Sequence, residues 1–486
     1  MVRAESHNRW STDQRNREND GSLEMRISEI ETVTTDTGTV TIDGTAYVTT
    51  DYDSLGDALA EAEAATESLS RLVLCGPRPG GTGRNFRLWA GRLGAWIEVG
   101  ESHVSPSSLN MRVGHDGREV RVTWAYSWFG ESEPAAVAEA TKQIRHVVAQ
   151  SGARMLGSPS ATGTAMLRAV HARRSWEFST SPAEVQSALR QTSGQGRFEL
   201  LDRGRLRGGR NLYAVDARFQ YAAIARSIEV GVGVPVDLGP NDPPAYAAAW
   251  VEVEVDTAGS PYPFGLLGVK RGGKWEYPYV GRFTTWAHWC EVEYARAHGY
   301  RCRVLGGYLW PMRSRALAPW AVALIRAREA AARPGLDSAT VEASRSACRN
   351  MVIQSIGAMH GRDVLREYVV ADSSEIPAAA EGWSRHEDRW RYQIREASNH
   401  RAVNSHPEWT THLWAVARLR LLRQMMIAPE KVAAVALDAL YVTDPRPFAS
   451  PADDGKPGRW RVTKTAGFWK PFRTMNDVYA MFEVDQ

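Results

Sequence analysis

At 486 residues the chain exceeds one ordinary core and predicts two to four domains, taking roughly 100 to 200 residues per domain. Its 43% hydrophobic and 24% charged residues exclude a repeat protein, a fibre and a mostly disordered chain. The net charge of +3 is too mild to announce a nucleic-acid partner, but it is unevenly spread: residues 296–431 carry +8 and the rest −5. Arginine makes up 52 of the 59 cations. Its planar fork suits phosphate, although codon bias gives the same excess.

Cys75, Cys290, Cys302 and Cys348 lie far apart with no C-x-x-C pair, which argues against a zinc ribbon and a disulfide framework and fits a reducing cytoplasm. The first 25 residues mix both charge signs without an apolar core, and the longest apolar stretch, PWAVALI, is cut by Arg326. Neither secretion nor membrane insertion is expected.

Residues 1–24 are polar and nearly free of aliphatics, and read as a disordered arm. Residues 25–182 read as an N-terminal α/β domain: short β-like runs (RLVLCG, AWIEVG, VRVTWAYSWFG), an Ala-rich helix near 134–150, and GSPSATGTAM as a connector. Next come the strand NLYAVD, ending in Asp216, and WVEVEVD, whose alternation puts Val251, Val253 and Val255 on one face. TTWAHWCEVEYARAHGY reads as a helix closed by Gly299, and CRVLGGYLW as a strand. Helices are predicted over 338–359 and 408–426, the second feeding VAAVALDALYV, read as one strand over 432–442 with Asp438 in its middle.

Three chemical candidates fail. LCGPRPGGTGRN lacks the P-loop pattern, because Arg78 stands for a Gly, Arg84 for the Lys and Asn85 for the hydroxyl. His400, His406 and His412 are spaced by six, which does not put them on one helical face as metal ligands. Glu29 and Glu31 beside Asp51 read as solvated charge. Asp216 and Asp438 remain. A carboxylate on an apolar strand is costly unless paired or bound to a cation, and two on neighbouring strands can share metal ions.

From Thr192 to Lys464 five segments follow in order: TSGQGRFEL, DARFQYAAI, the stretch from YPFGLLGVKRGG to HGYRCRVLGGY, RNMVIQSIG and ALDALYVT. Their order resembles the polymerase half of the family B DNA polymerases, in particular the viral, organellar and protein-primed branch. TSGQGRFEL resembles the glycine-rich template-contact segment, making Arg197 a nucleic-acid-binding candidate. DARFQYAAI resembles motif A, retaining Asp216 as metal ligand and Tyr221 as the aromatic gate under the incoming sugar. RNMVIQSIG resembles motif B, with Arg349 for its Lys; Arg345, one turn earlier, adds a second cation for the triphosphate. In ALDALYVT, Asp438 occupies the second Asp of motif C while Ala436 stands for the first. GRWRVTK resembles the primer-contact segment and nominates Lys464.

The resemblance implies an α/β (α+β) right-hand polymerase: palm over 183–310 and 363–486 with an antiparallel sheet, helical fingers over 311–362, and a thumb reduced or absent. The N-terminal domain takes the exonuclease position without clear exonuclease motifs, so proofreading is expected to be missing. The implied reaction is in-line attack of a primer 3′-hydroxyl on an α-phosphate with Mg²⁺ or Mn²⁺ held by Asp216 and Asp438. Primer-template DNA and deoxynucleoside triphosphates are the implied partners, with a protein primer or other replication proteins beside them and no membrane. A second reading stays open: a catalytically degenerate polymerase-fold nucleic-acid-binding protein, because Ala436 removes a ligand.

Overall fold

The computed structural model describes residues 33–35, 38–79, 83–100, 103–105, 108–172, 180–194, 196–201, 210–271, 274–331, 335–361, 363–376, 380, 382–386, 389–397, 405–449, 455–468 and 474–483. The arm over 1–24, with Glu29 and Glu31, lies outside them. Contacts divide the chain into two compact units, residues 1–144 with 331–347, and residues 145–330 with 348–486.

The first unit is built on a mixed eight-stranded sheet. Thr45–Thr49, Arg71–Cys75 and Arg118–Trp124 run parallel in its centre, and the remaining pairs are antiparallel. Helix Leu55–Ala65 makes the crossover between the first two, its N-cap Ser54 accepting from the backbone N–H of Asp57. It buries Leu55 and Leu59 against Val48, Leu72 and Leu74.

In the second unit a five-stranded antiparallel sheet runs in the order Trp460–Phe468, Arg210–Ala217, Ala439–Val442, Val432–Ala436, Phe198–Leu200. A four-stranded sheet has Ala248–Asp256 between Arg282–His288 and Arg301–Trp310, with Val236–Asp237 at its edge. The alternation in WVEVEVD emerges as read: Val251, Val253 and Val255 are buried and Glu254 is exposed. These valines share one core with Val215, Val435 and Leu440 of the other sheet and with Leu421 and Leu422 of helix Pro407–Met425. Among the described residues no helix is long and apolar enough to cross a membrane.

Helices are found at Pro134–Gln150, Ser338–His360 and Pro407–Met425, where the sequence places them. Three readings need correction. TTWAH is the end of strand Arg282–His288, and the helix begins only at Trp289, where the His288 imidazole caps it. VAAVALDALYV is a hairpin of two strands, so Asp438 lies in a turn. GSPSATGTAM is no connector: helix Pro159–Ala172 starts inside it. Its small residues serve close approach, since a Cβ on Gly163 would collide with Ser355 Oγ and crowd the Met351 carbonyl, while the Trp320 indole donates to the Gly163 carbonyl at 2.9 Å.

That contact reverses an ordinary preference. Gly→Ala inside a helix stabilises by about 1 kcal/mol on propensity alone. Gly163→Ala is expected instead to destabilise by about 1–3 kcal/mol through overpacking, read as a lower urea midpoint, and Ser355→Ala in the same chain should recover part of the loss.

Candidate active site

One row of residues crosses the five-stranded sheet: Arg461, Asp216, Ala439, Ala436 and Phe198 stand opposite one another on successive strands. Alternation sends Asp216 and Ala436 to the same face, whose apolar part is Leu212, Ala214, Ala434 and Tyr441 under Val478 and Phe482. Asp438 immediately precedes Ala439, so the hairpin turn delivers its carboxylate beside Asp216.

The turn is held under strain. Leu437 has φ +56°, a left-handed conformation that a branched side chain adopts only at a cost of roughly 1–2 kcal/mol. Its N–H donates to the Arg197 carbonyl at 2.8 Å, and its side chain fills the place a Cβ on Gly196 would take. Past Asp216 the chain repeats the device: Phe219, φ +50°, precedes helix Gln220–Ala225, and the Arg328 guanidinium lies over its ring at 5.3 Å. Over-determined strain of this kind gathers at functional sites.

The electrostatics follow from burial and mutual charge. Asp438 has its pKa raised by burial and by the charge of Asp216, against the pull of Arg349. Asp216 is raised by burial, with Arg461, Arg349 and Arg218 pulling it down. Its Oδ1 is buried with no hydrogen-bond partner among the described residues, although Arg461 Nε lies 3.5 Å away. The same field reaches Tyr441, whose hydroxyl is pushed up to about 12 by burial first, then by Tyr479 and the two carboxylates. Paired carboxylates whose ionisation burial and mutual charge oppose fit a hard divalent cation such as Mg²⁺ or Mn²⁺. Ala436 and Ala439 beside them add no ligand.

Asp216, Asp438 and the exposed Arg349 therefore come together. Tyr221 lies in the short helix that follows Asp216, with its side chain buried. Arg345 belongs to the first unit and Arg349 to the second. Lys464 is exposed and sits opposite Ala214, two residues along the strand from Asp216. Arg197 is interior: it pairs with Glu199, donates to the Gly265 carbonyl at 2.9 Å and lies over the Tyr277 ring at 4.3 Å. A guanidinium so engaged has no surface left for a phosphate, which corrects its reading as a template contact.

Arg461 and Arg218 were not singled out from the sequence. Arg461 is in GRWRVTK, the segment that nominates Lys464, and a bulge between Ala214 and Val215 puts it, rather than Val462, opposite Asp216. Only the repeated basic residue in that segment signals it.

The sequence matches no family model and no curated protein. Solved structures do match. Phi29 DNA polymerase in an orthorhombic crystal form aligns with a TM-score of 0.54 at 11% identity, over 90% of this chain and 84% of that one. The same polymerase complexed with primer-template DNA aligns at 0.54 and 12%, over 82% and 76%. Its ternary complex with primer-template DNA and incoming nucleotide substrates aligns at 0.52 and 11%, over 84% and 79%. The fold expected from the sequence motifs is thus shared with that polymerase: a mixed α/β architecture with antiparallel sheets.

Raised carboxylate pKa values are a stability cost with a definite sign. Below the ordinary range near 3.8 both aspartates are neutral in folded and unfolded chains; as pH rises through their raised folded values, ionisation costs stability. Asp438→Asn should therefore raise the Tm at neutral pH by roughly 2 °C, the size that ~1 kcal/mol gives a large domain. The gain should fade below about pH 4 in thermal scans.

Proposed function

We propose that the chain is a template-directed DNA polymerase that transfers deoxynucleotides to a primer 3′ end, without proofreading. The observation that supports this most is the meeting of Asp216 and Asp438 at one point of an antiparallel sheet, with Arg461 3.5 Å from the buried Asp216 Oδ1. In this reading residues 183–310 and 363–486 serve as palm, residues 311–362 as fingers, and the work is cytoplasmic, on primer-template DNA, with a protein primer as a further partner.

Asp216 and Asp438 would hold the metal. A bound divalent ion supplies charge stabilisation for the attacking and leaving oxygens of phosphoryl transfer. The chain's own groups bind and orient. Arg349, exposed on helix Ser338–His360 and already felt by both carboxylates, neutralises the triphosphate. Arg461 and Arg218 pull the pKa of Asp216 down against the burial that raises it, and so favour its charged form. Tyr221, fixed in helix Gln220–Ala225 by the turn that Asp216 opens, supplies the aromatic wall beneath the sugar.

A second reading, a nucleic-acid-binding protein that has lost catalysis, is favoured by one specific feature. Where the family carries a further carboxylate the row holds Ala436, and Arg461 lies beside Asp216 where a second cation would compete with it.

Incorporation of labelled deoxynucleotides on a primed template separates the two. Wild type should extend, more strongly in Mn²⁺, which tolerates imperfect geometry, than in Mg²⁺. Asp216→Asn and Asp438→Asn should each lose roughly 10³-fold or more, as members of one reacting unit do. Binding without incorporation in either metal establishes the second reading; mutants that extend like wild type make the aspartates structural.

Arg349→Ala should raise the nucleotide KM while leaving the template Kd within about twofold. Template affinity should fall steeply with salt, as release of condensed counterions requires.

A further inference from the structure

Away from the carboxylates, the second unit gathers three side chains with soft or borderline donors. His288 ends strand Arg282–His288, Cys290 lies in the first turn of helix Trp289–Ala297, and His412 lies in helix Pro407–Met425. One donor atom from each lies within 4.8 Å of the others. His288 Nδ1 is 3.1 Å from Cys290 Sγ, and the two imidazoles stack at 3.9 Å. From these positions we infer a transition-metal site, His288, Cys290 and His412, that takes zinc or a similar borderline divalent ion.

The surroundings are those of a built site. Around a tetrahedral ion with bonds of roughly 2.0–2.3 Å, ligand atoms stand about 3.3–3.6 Å apart. The His288–Cys290 pair is already that close; the Nδ1 lone pair, which takes the Cys290 N–H at 3.3 Å, would pass from this cap to the ion, and the remaining gap closes when one ring leaves the stack by turning about its Cβ–Cγ bond, a broad two-fold torsion. His412 Nδ1 is buried with no hydrogen-bond partner among the described residues, a donor-side vacancy that a cation would satisfy. Burial holds His412 down to about 4, with Arg313 adding to it, and burial, His412 and Arg418 hold His288 well below its ordinary value. Both rings are thus neutral, the form that ligates.

The geometry is fastened from outside. Arg418, on the helix of His412, makes a bidentate bridge to Glu291, both contacts 2.8 Å, and Glu291 also accepts from the His288 N–H at 3.4 Å. The bridge holds the two helices in the register that brings His412 to Cys290. Metal binding would displace the Cys290 proton to solvent as the metal–sulfur bond forms. Two nitrogens and a sulfur do not suit Mg²⁺, so this site is independent of the carboxylates and of the polymerase reading.

The sequence could not nominate it. His412 was weighed against His400 and His406, yet its neighbours come from residues 288 and 290. His406 instead stacks on Trp409 and bonds Glu408.

The test is a Co²⁺ titration of the full chain after stripping with a chelator, followed by absorption. One equivalent should produce tetrahedral ligand-field bands with a thiolate-to-cobalt charge-transfer band. Zn²⁺ should erase them and excess Mg²⁺ should not. Cys290→Ser should lose the charge-transfer band, and His412→Asn should weaken Co²⁺ by roughly tenfold or more. Far-UV circular dichroism checks both variants. Wild type without the charge-transfer band, or folded variants whose titrations superpose on wild type, would overturn the inference. If neither variant folds, the wild-type spectrum and a Zn²⁺-dependent rise in Tm decide it.

Discussion

Two carboxylates that repel one another are held side by side on a sheet face, and most of the second unit is arranged around that constraint. Asp216 and Asp438 approach because a hairpin turn ends where the neighbouring strand passes. The turn is not self-sufficient. Leu437 stays in its left-handed conformation because the Arg197 carbonyl takes its N–H and Gly196 leaves room for its side chain. Arg197 in turn is pinned by Glu199, the Gly265 carbonyl and two aromatic rings. An arginine that touches no phosphate thereby still shapes the site.

The positive charge around the carboxylates offsets the repulsion without cancelling it. Arg461, Arg349 and Arg218 all pull Asp216 toward ionisation, yet burial keeps both aspartates above their ordinary values. Assembling like charges in this way costs stability, as it does wherever such groups are gathered for function. The alanines of the same row add no charged or polar side chain beside the two carboxylates.

Beneath the sheet, helix Pro407–Met425 serves two purposes through different faces. Leu421 and Leu422 join Val215, Val435 and Leu440 in the core under the hairpin, while His412 and Arg418 meet the strand–helix junction at His288–Glu291. A metal ion clipped at that junction would tie the support of the carboxylates to the second sheet.

Local pattern alone determined a good deal of this protein. The helices at 134–150, 338–360 and 407–425 follow from long apolar periodicity, with Pro134 and Pro407 opening two of them, and the inward valines of Ala248–Asp256 from strict alternation. Asp216 and Asp438 stood out because a carboxylate in an apolar run needs a reason, and motif order pointed to the polymerase fold that the solved structures share. Only the tertiary structure decided the rest. Small residues in 157–166 read as a linker because their use, letting two helices touch at Gly163 and Ser355, is invisible along the chain. A turn inside VAAVALDALYV left no Gly, Pro or Asn signal, since long-range contacts stabilise its left-handed Leu437. A single bulge set Arg461 rather than Val462 opposite Asp216, burial removed Arg197 from the surface, and folding brought His412 to residues 288 and 290. Each depends on partners distant in sequence, and spacing along one segment cannot encode them.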